Sequence, residues 1–299
     1  MDFRLATFIN LCQTQSYTKT AHNLGLTQPA VSQHVRYLEE YYGVKLILYS
    51  KRQFILTEAG KYLYQHALDL LFLSNKIKKE IPRNSTPSII IGVNPTIGDY
   101  LMPDLISGFK KQHPTTRISY FTETPEELEH KLYQGNVDLL ITEHNHICPE
   151  LEHTFLRSEP IDCICNPRHP FANQTVCMSE IFKEGIVFTD KTSNAYHILK
   201  SALEAYQYNL DNCNINLEMS SIPALFRYIC DNSSFTFVYH CACKAYLESK
   251  RLAQIYIKDV SLDTNFYCIS QKAECLTLSA SQFKEYLLSS SKATDHCPT

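Results

Sequence analysis

Apolar positions recur at helical spacing from the start of the chain. Leu5, Phe8, Ile9 and Cys12 mark a first amphipathic helix. Ala21 and Leu24 mark a short second one over 18–24, closed by Gly25, a residue suited to a left-handed cap. Thr27 is a good N-cap, and Pro29 falls in the following first turn, where its missing N–H costs nothing. The helix they open is predicted to run to about Tyr42, ahead of Gly43, with an apolar stripe of Val31, Val35, Leu38 and Tyr42. Its other stripe is Gln28, Pro29, Ser32, Gln33 and Arg36. A short helix, a tight turn and a helix with a small, polar outer face form the helix-turn-helix arrangement. Two short apolar runs, 45–49 and 54–57, flank Ser50-Lys51-Arg52-Gln53 and read as a β-hairpin with a basic tip. Together these elements make a winged helix.

From Thr57 the helical pattern continues to about residue 79. Leu63, Ala67, Leu70, Ser74 and Ile77 alternate steps of four and three, which predicts a coiled-coil seam on a dimerising linker helix over 59–80. Two prolines within 81–87 then mark a hinge. Beyond it strands and helices alternate. A near-continuous apolar run at 89–93 predicts a strand buried on both faces, followed by a helix carrying Leu101, Leu105 and Phe109. A strand at 117–121, a capping box at Thr124-Pro125-Glu126-Glu127 and a strand at 137–142 complete a βαβαβ unit. A second set follows: strands at 161–165, 186–189, 215–219 and 235–239, with helices near 179–183, 196–206 and 222–230. Strands at 255–257 and 266–269 precede a final helix over 278–288, and the polar tail 290–299 is predicted disordered.

Charge sharpens this division. The net charge of −3 conceals ten Lys and Arg against six acids in residues 1–80, a balance of +4, and a remainder of −7. A basic head on an acidic body suits a polyanion-binding unit joined to a separate sensor. The 299 residues suffice for two or three packed units, and no stretch has the roughly 20 apolar residues of a membrane span. The opening MDFRLATFINLCQTQS does not read as a signal peptide, so a cytoplasmic protein is expected, with its 12 cysteines as thiols. No G-x-S-x-G elbow, phosphate-binding loop or H-E-x-x-H motif occurs, and eight glycines leave little for phosphate cradles, so no enzyme is expected.

The run Ser16-Tyr17-Thr18-Lys19-Thr20-Ala21, then Leu24-Gly25-Leu26-Thr27-Gln28-Pro29-Ala30-Val31-Ser32, resembles the DNA-binding signature of LysR-type transcriptional regulators. The resemblance continues through Leu38-Glu39, Gly43, Leu46, Arg52 and Leu56-Thr57-Glu58-Ala59-Gly60, covering about sixty residues without a gap. It implies a winged helix-turn-helix domain over 1–58, with DNA contacts by Thr27, Gln28, Pro29, Ser32, Gln33 and Arg36 on the helix and Arg52 on the wing. Where the family usually has Phe, Arg and Arg, this chain has Ile47, Tyr49 and Gln33, so phosphate anchoring and base preference depart from the common pattern. The segment from Ile91 to Pro103 is similar to the opening of the family's effector domain. That implies a type II periplasmic-binding-protein-like α/β domain over 88–289, with subdomain I at about 88–160 and 266–289 and subdomain II at about 161–265. The overall expectation is thus a multidomain α+β chain.

In such sheets ligands sit beyond the carboxyl ends of strands, at helix N-termini. The strand exits here offer Pro95, Thr96, Thr124, Glu143, Thr192, Ser193, Ser220 and Ser221, a set suited to a small anion, with Glu143 expected at the rim. No metal and no cofactor is expected. The function expected is a sequence-specific regulator gated by a small-molecule effector, acting on duplex DNA as a homodimer or homotetramer and recruiting RNA polymerase. The alternative is redox or metal gating through the Cys and His residues of the body, such as Cys165 with Cys177, Cys241 with Cys243, or His144, His146, Cys148 and His240.

Overall fold

Three helices build the head: α1 (Phe3–Thr14), α2 (Tyr17–Leu24) and α3 (Gln28–Tyr42). The computed structural model describes residues 2–50, 53–81, 86–143, 150–189, 191 and 194–294. Phe8, Leu11, Val31, Val35 and Leu38 are buried where the helices meet. Ser16 caps α2 by accepting the Lys19 N–H at 3.3 Å, and Thr27 caps α3 by accepting that of Ala30 at 3.4 Å. Gly25, at φ +64°, turns the chain between them, a conformation open to a residue without Cβ. One expectation fails here: Tyr42 is exposed, not part of the buried stripe. The helix ends at Gly43 before Tyr42 can turn inward, and its ring meets Tyr41 edge-on.

The wing is β1 (Ile47–Ser50) paired antiparallel with β2 (Gln53–Leu56), from Ile47 opposite Leu56 to Ser50 opposite Gln53. Lys51 and Arg52, at its tip, lie outside the described residues. Then α4 (Glu58–Glu80) runs for 23 residues from a Thr57 cap. Gly60 sits where α4 crosses the wing base; a Cβ there would meet the Leu46 carbonyl oxygen at 2.1 Å. The predicted seam of α4 needs correction. Ala67 is buried with Tyr64, Leu68 and Phe72, because α1 packs on that side. The exposed stripe is rotated to Tyr62, His66, Leu70, Leu73 and Ile77.

The body follows as β3 (Ser88–Val93), α5 (Pro95–Tyr100), α6 (Met102–Gln112), β4 (Arg117–Thr122), α7 (Pro125–Tyr133) and β5 (Leu139–Thr142). The chain continues with β6 (Glu152–Cys165), β7 (Thr175–Val176), α8 (Met178–Ile181), β8 (Gly185–Phe188) and α9 (Asn194–Glu204). It ends with β9 (Asn214–Glu218), α10 (Ile222–Asp231), β10 (Phe235–Tyr239), α11 (His240–Glu248), β11 (Ala253–Ile257), β12 (Asp263–Ser270) and α12 (Leu278–Thr294). The ten body strands connect in the order β4-β3-β5-β12-β6-β10-β8-β9, with β11 and β7 alongside. β3 is parallel to β4 and β5; β8 is parallel to β9 and β10.

Two lobes share this sheet, and β6 joins them. Its residues from Glu152 to Pro160 pair with β12, and those from Ile161 to Cys165 pair with β10. The return crossing lies alongside, since the Ile161 N–H donates to the Leu262 carbonyl at 2.9 Å. A strand at 161–165 alone was expected; the structure extends it nine residues toward the N-terminus, to Glu152. Arg157 and Glu159 pair with each other within β6, so a segment that reads as polar loop is accommodated in the sheet. The final helix also outlasts expectation, running to Thr294 and not ending at 288. The Ser289 and Ser291 hydroxyls donate to the Tyr286 and Leu287 carbonyls inside the helix, which leaves less pull toward a loop.

Helix α4 is fastened to the first lobe. Lys79 Nζ reaches Asp138 Oδ1 at 2.7 Å and the Gly135 carbonyl at 3.1 Å, and Asn75 Nδ2 donates to the Gln134 carbonyl at 3.0 Å. Lys272 pairs with Asp69 at 2.6 Å, and Lys76 donates to the Glu274 carbonyl at 2.9 Å. Among the described residues no helix is long and apolar enough to cross a membrane.

Candidate nucleic-acid interface and effector cleft

Helix α3 divides cleanly into two faces. Val31, Val35 and Leu38 point into the head, while Thr27, Gln28, Pro29, Gln33 and Arg36 are exposed and Ser32 is half-buried. The Thr27 hydroxyl caps the helix; the side chains of Gln28, Gln33 and Arg36 lie free on one outer face. Gln and Arg carry the paired donors and acceptors that match base edges and phosphates. Arg52, expected at the wing tip, lies outside the described residues.

Glu39 fixes the wing to this helix. Its Oε1 accepts the Leu46 N–H at 3.0 Å, and its Oε2 takes the Lys45 ammonium at 2.6 Å. Burial raises the Glu39 carboxyl, but the bonds from Lys45, Leu46 and Ile47 outweigh it and hold the group below its ordinary range. On the other flank, the Arg4 guanidinium stacks on the Tyr37 ring, 3.7 Å from its centre, and tethers α1 to the exposed side of α3. Neither role was read from the sequence, because both depend on contacts between elements.

The body places its candidate residues at the ends of parallel strands. Thr96 is half-buried in the first turn of α5, beside exposed Pro95. Ser220 and Ser221 are exposed ahead of α10, which Ser221 caps by accepting the Ala224 N–H at 3.5 Å. Thr124 is committed to capping α7, in a reciprocal box with Glu127. Thr192 and Ser193 lie outside the described residues. His144, His146 and Cys148 do so as well.

Glu143 is a correction. Expected at the rim, it is buried, bonded to Asn94 Nδ2, and it faces the buried Tyr239 hydroxyl. Burial, together with the Glu143 and Glu159 charges, holds the Tyr239 phenol well above its ordinary value. Asn94 also accepts the Ile97 N–H at 2.8 Å, so one side chain caps α5 and orients Glu143. The contact therefore runs from β3 through β5 to β10, across both lobes. Tyr100 completes the bridge, packing against Phe226 of α10 with ring centres 6.3 Å apart. The Asn94-Pro95 pair after an apolar run is an N-cap signature that could have flagged Asn94.

A second polar cluster lies beside the lobe crossing. Asp162 Oδ2 is 2.7 Å from His240 Nδ1 and 3.5 Å from Cys243 Sγ, and Asp162 Oδ1 accepts the Gln254 amide at 3.0 Å. The hydrogen bond to Asp162 raises the His240 imidazole above its ordinary value. The Cys241 N–H donates to Glu159 at 2.6 Å. Elsewhere burial governs the thiols: it pushes Cys165 and Cys268 up to about 12 and also raises Cys12, Cys163, Cys213, Cys241, Cys243 and Cys275.

Comparison with known proteins places both halves of the chain. The family model described as "Bacterial regulatory helix-turn-helix protein, lysR family" matches residues 3–61, and the "LysR substrate binding domain" matches residues 83–292. A probable RuBisCO transcriptional regulator from Cyanidioschyzon merolae is 25% identical over 280 residues, covering 91% of this chain and 92% of its own. The RuBisCO operon transcriptional regulator of Allochromatium vinosum is 24% identical over 298 residues, 98% and 97% of the two chains. Among solved structures, a full-length OxyR from Pseudomonas aeruginosa superposes with a TM-score of 0.60 at 18% identity, covering 97% of this chain and 93% of that one.

Proposed function

Because this chain belongs to the LysR family of transcriptional regulators, we propose that its head reads a specific duplex sequence through Gln28, Pro29, Ser32, Gln33 and Arg36, with Thr27 and Arg52 on phosphates. The observation that carries this reading is the outer face of α3, where Gln28, Gln33 and Arg36 stand exposed while the opposite face is locked in the core. The protein works as a homodimer or a pair of dimers, so that two heads occupy successive major grooves of a two-fold operator. The exposed apolar stripe of α4 supports that assembly. It borders an apolar groove of about 460 Å³ lined by residues such as Leu5, Tyr42, Val44 and Leu63.

The gating ligand is a small anion in the cleft bounded by Pro95, Thr96, Ser220 and Ser221, to which the sequence adds Thr192 and Ser193 as candidates. Helix N-termini with free N–H groups support an anionic guest. The ligand biases the lobes only by its differential affinity for open and closed states, and the head spacing that follows sets recruitment of RNA polymerase in the cytoplasm. Small-molecule gating is favoured over thiol oxidation, because burial keeps Cys163, Cys165, Cys241, Cys243 and Cys268 protonated.

Selection of bound duplexes from a random library by the full-length protein tests the reading. An enriched two-fold motif is expected, with affinity falling as salt rises. Recovery of unselected sequence would overturn it. A thermal-shift screen of small carboxylates and oxyanions tests the gate; no stabilising anion, or stabilisation unaffected by Ser221→Ala and Thr96→Val, overturns that part.

A further inference from the structure

We propose that Asp162, His240 and Cys243 form a binding site for a thiophilic divalent cation of the zinc class, set against the crossing between the lobes. The site shares no residue with the proposed effector cleft or DNA face. One oxygen, one ring nitrogen and one sulfur lie within 4.8 Å of one another, each from a different side chain. His240 and Cys243 are three residues apart at the start of α11, so they share a face, and Asp162 meets them from β6. A mixed N, S and O set suits zinc, cobalt or copper better than magnesium or calcium.

The donor spacing fits a four-coordinate ion of this class. Zinc bonds of about 2.0–2.3 Å in a tetrahedron hold donor atoms roughly 3.3–3.7 Å apart. The separation of 3.5 Å between Asp162 Oδ2 and Cys243 Sγ is already of that size. The 2.7 Å between Asp162 and His240 must open by roughly 0.7 Å to reach it, and the half-exposed His240 ring is the member able to swing. That ring also gives the ion its entry from solvent. Gln254 holds the other carboxylate oxygen at 3.0 Å, the outer-shell support that aims a carboxylate ligand.

The charge balance closes. Without metal, the His240 ring hydrogen-bonds the Asp162 carboxylate, and Cys243 is a thiol. Entry of a dication displaces the thiol proton to solvent and leaves the ligating ring nitrogen without its proton, so a carboxylate, a thiolate, a neutral imidazole and the ion sum to neutrality. No electrons move. Three protein ligands leave a fourth position for water or an outside donor.

Cobalt titration of the chelator-treated full-length protein reads the site directly. The expected result is one tight equivalent, with a thiolate-to-cobalt charge-transfer band and intense four-coordinate visible bands, both bleached by zinc. His240→Gln and Cys243→Ser should each abolish the band, and Gln254→Leu should weaken binding roughly tenfold. His240 is half-exposed, so its variant should fold even if Cys243→Ser does not, and it then decides alone. Absence of the charge-transfer band, or an equal band in His240→Gln, overturns the proposal and leaves a metal-free Asp162–His240 hydrogen bond.

Discussion

Lys79 Nζ stands 2.7 Å from Asp138 Oδ1, while Asp138 Oδ2 accepts the Ile90 N–H at 2.8 Å. One carboxylate thus ties the linker helix to the first strand of the body. Lys79→Met should cost about 1.5–3 kcal/mol of stability, the range for a hydrogen bond to a charged group. Asp138→Ala should cost more, since it also strands the Ile90 N–H. Denaturant titration of the two variants checks the order, and equal stability to the parent refutes the tie.

Gly60→Ala should destabilise the head by about 1–3 kcal/mol or more. The added methyl lands on a backbone oxygen, which cannot step aside as a side-chain tip could. Loss of wing signals in solution spectra at unchanged body signals would locate the damage. A neutral substitution would mean that α4 and the wing base stand further apart than described.

Glu39 supplies a pH dependence with a definite sign. Its folded-state carboxyl lies below the ordinary value of 4.5, so the bonds it makes add stability that is complete above that value. That stability drains away as pH falls through the folded value. Glu39→Gln should therefore cost about 1 kcal/mol at neutral pH and progressively less in acid. Parent and variant curves that stay parallel down to about pH 3 would refute the assignment.

Gln28→Ala should relax base choice at one position by about 1–3 kcal/mol, with little loss on random DNA. Arg52→Ala should weaken every duplex and lower the salt slope by about one. Equal losses on selected and random duplexes for Gln28→Ala would remove its role in base readout.

Leu70→Asp tests the rotated stripe of α4. Leu70 is 52% exposed, so the chain should fold, yet sedimentation should show a shift from dimer to monomer. Ala67→Asp should instead unfold the head, because Ala67 is buried.

Much of this molecule is legible in one dimension. Caps such as Ser16 and Thr27, turns such as Gly25, and the stripe Val31-Val35-Leu38 are local, and the head follows from them. The βαβαβ opening is equally plain, because its apolar runs are short and bounded. What escaped depends on partners far along the chain. The extended reach of β6 is hidden by Arg157 and Glu159, whose charges cancel only once the strand is formed. Glu143 reads as a rim carboxylate until Asn94 and Tyr239 close around it. The exposed stripe of α4 lies one step off the predicted seam because α1 claims Ala67. Of the candidate sites, the proposed DNA face was legible through the LysR-like signature and not through polarity alone, since any solvated helix carries a polar stripe; the cleft was legible only as a set of strand ends.

The hydrogen bond from the Ile161 N–H to the Leu262 carbonyl has a mechanical meaning. It laces the two crossings side by side, so the chain passes between the lobes as one paired strip and not as two separate tethers. The first lobe is fastened to α4 through Lys79, Asn75 and Lys272. Any displacement between the lobes has to be taken up at that paired strip, because the first lobe and α4 are held together by charged side chains.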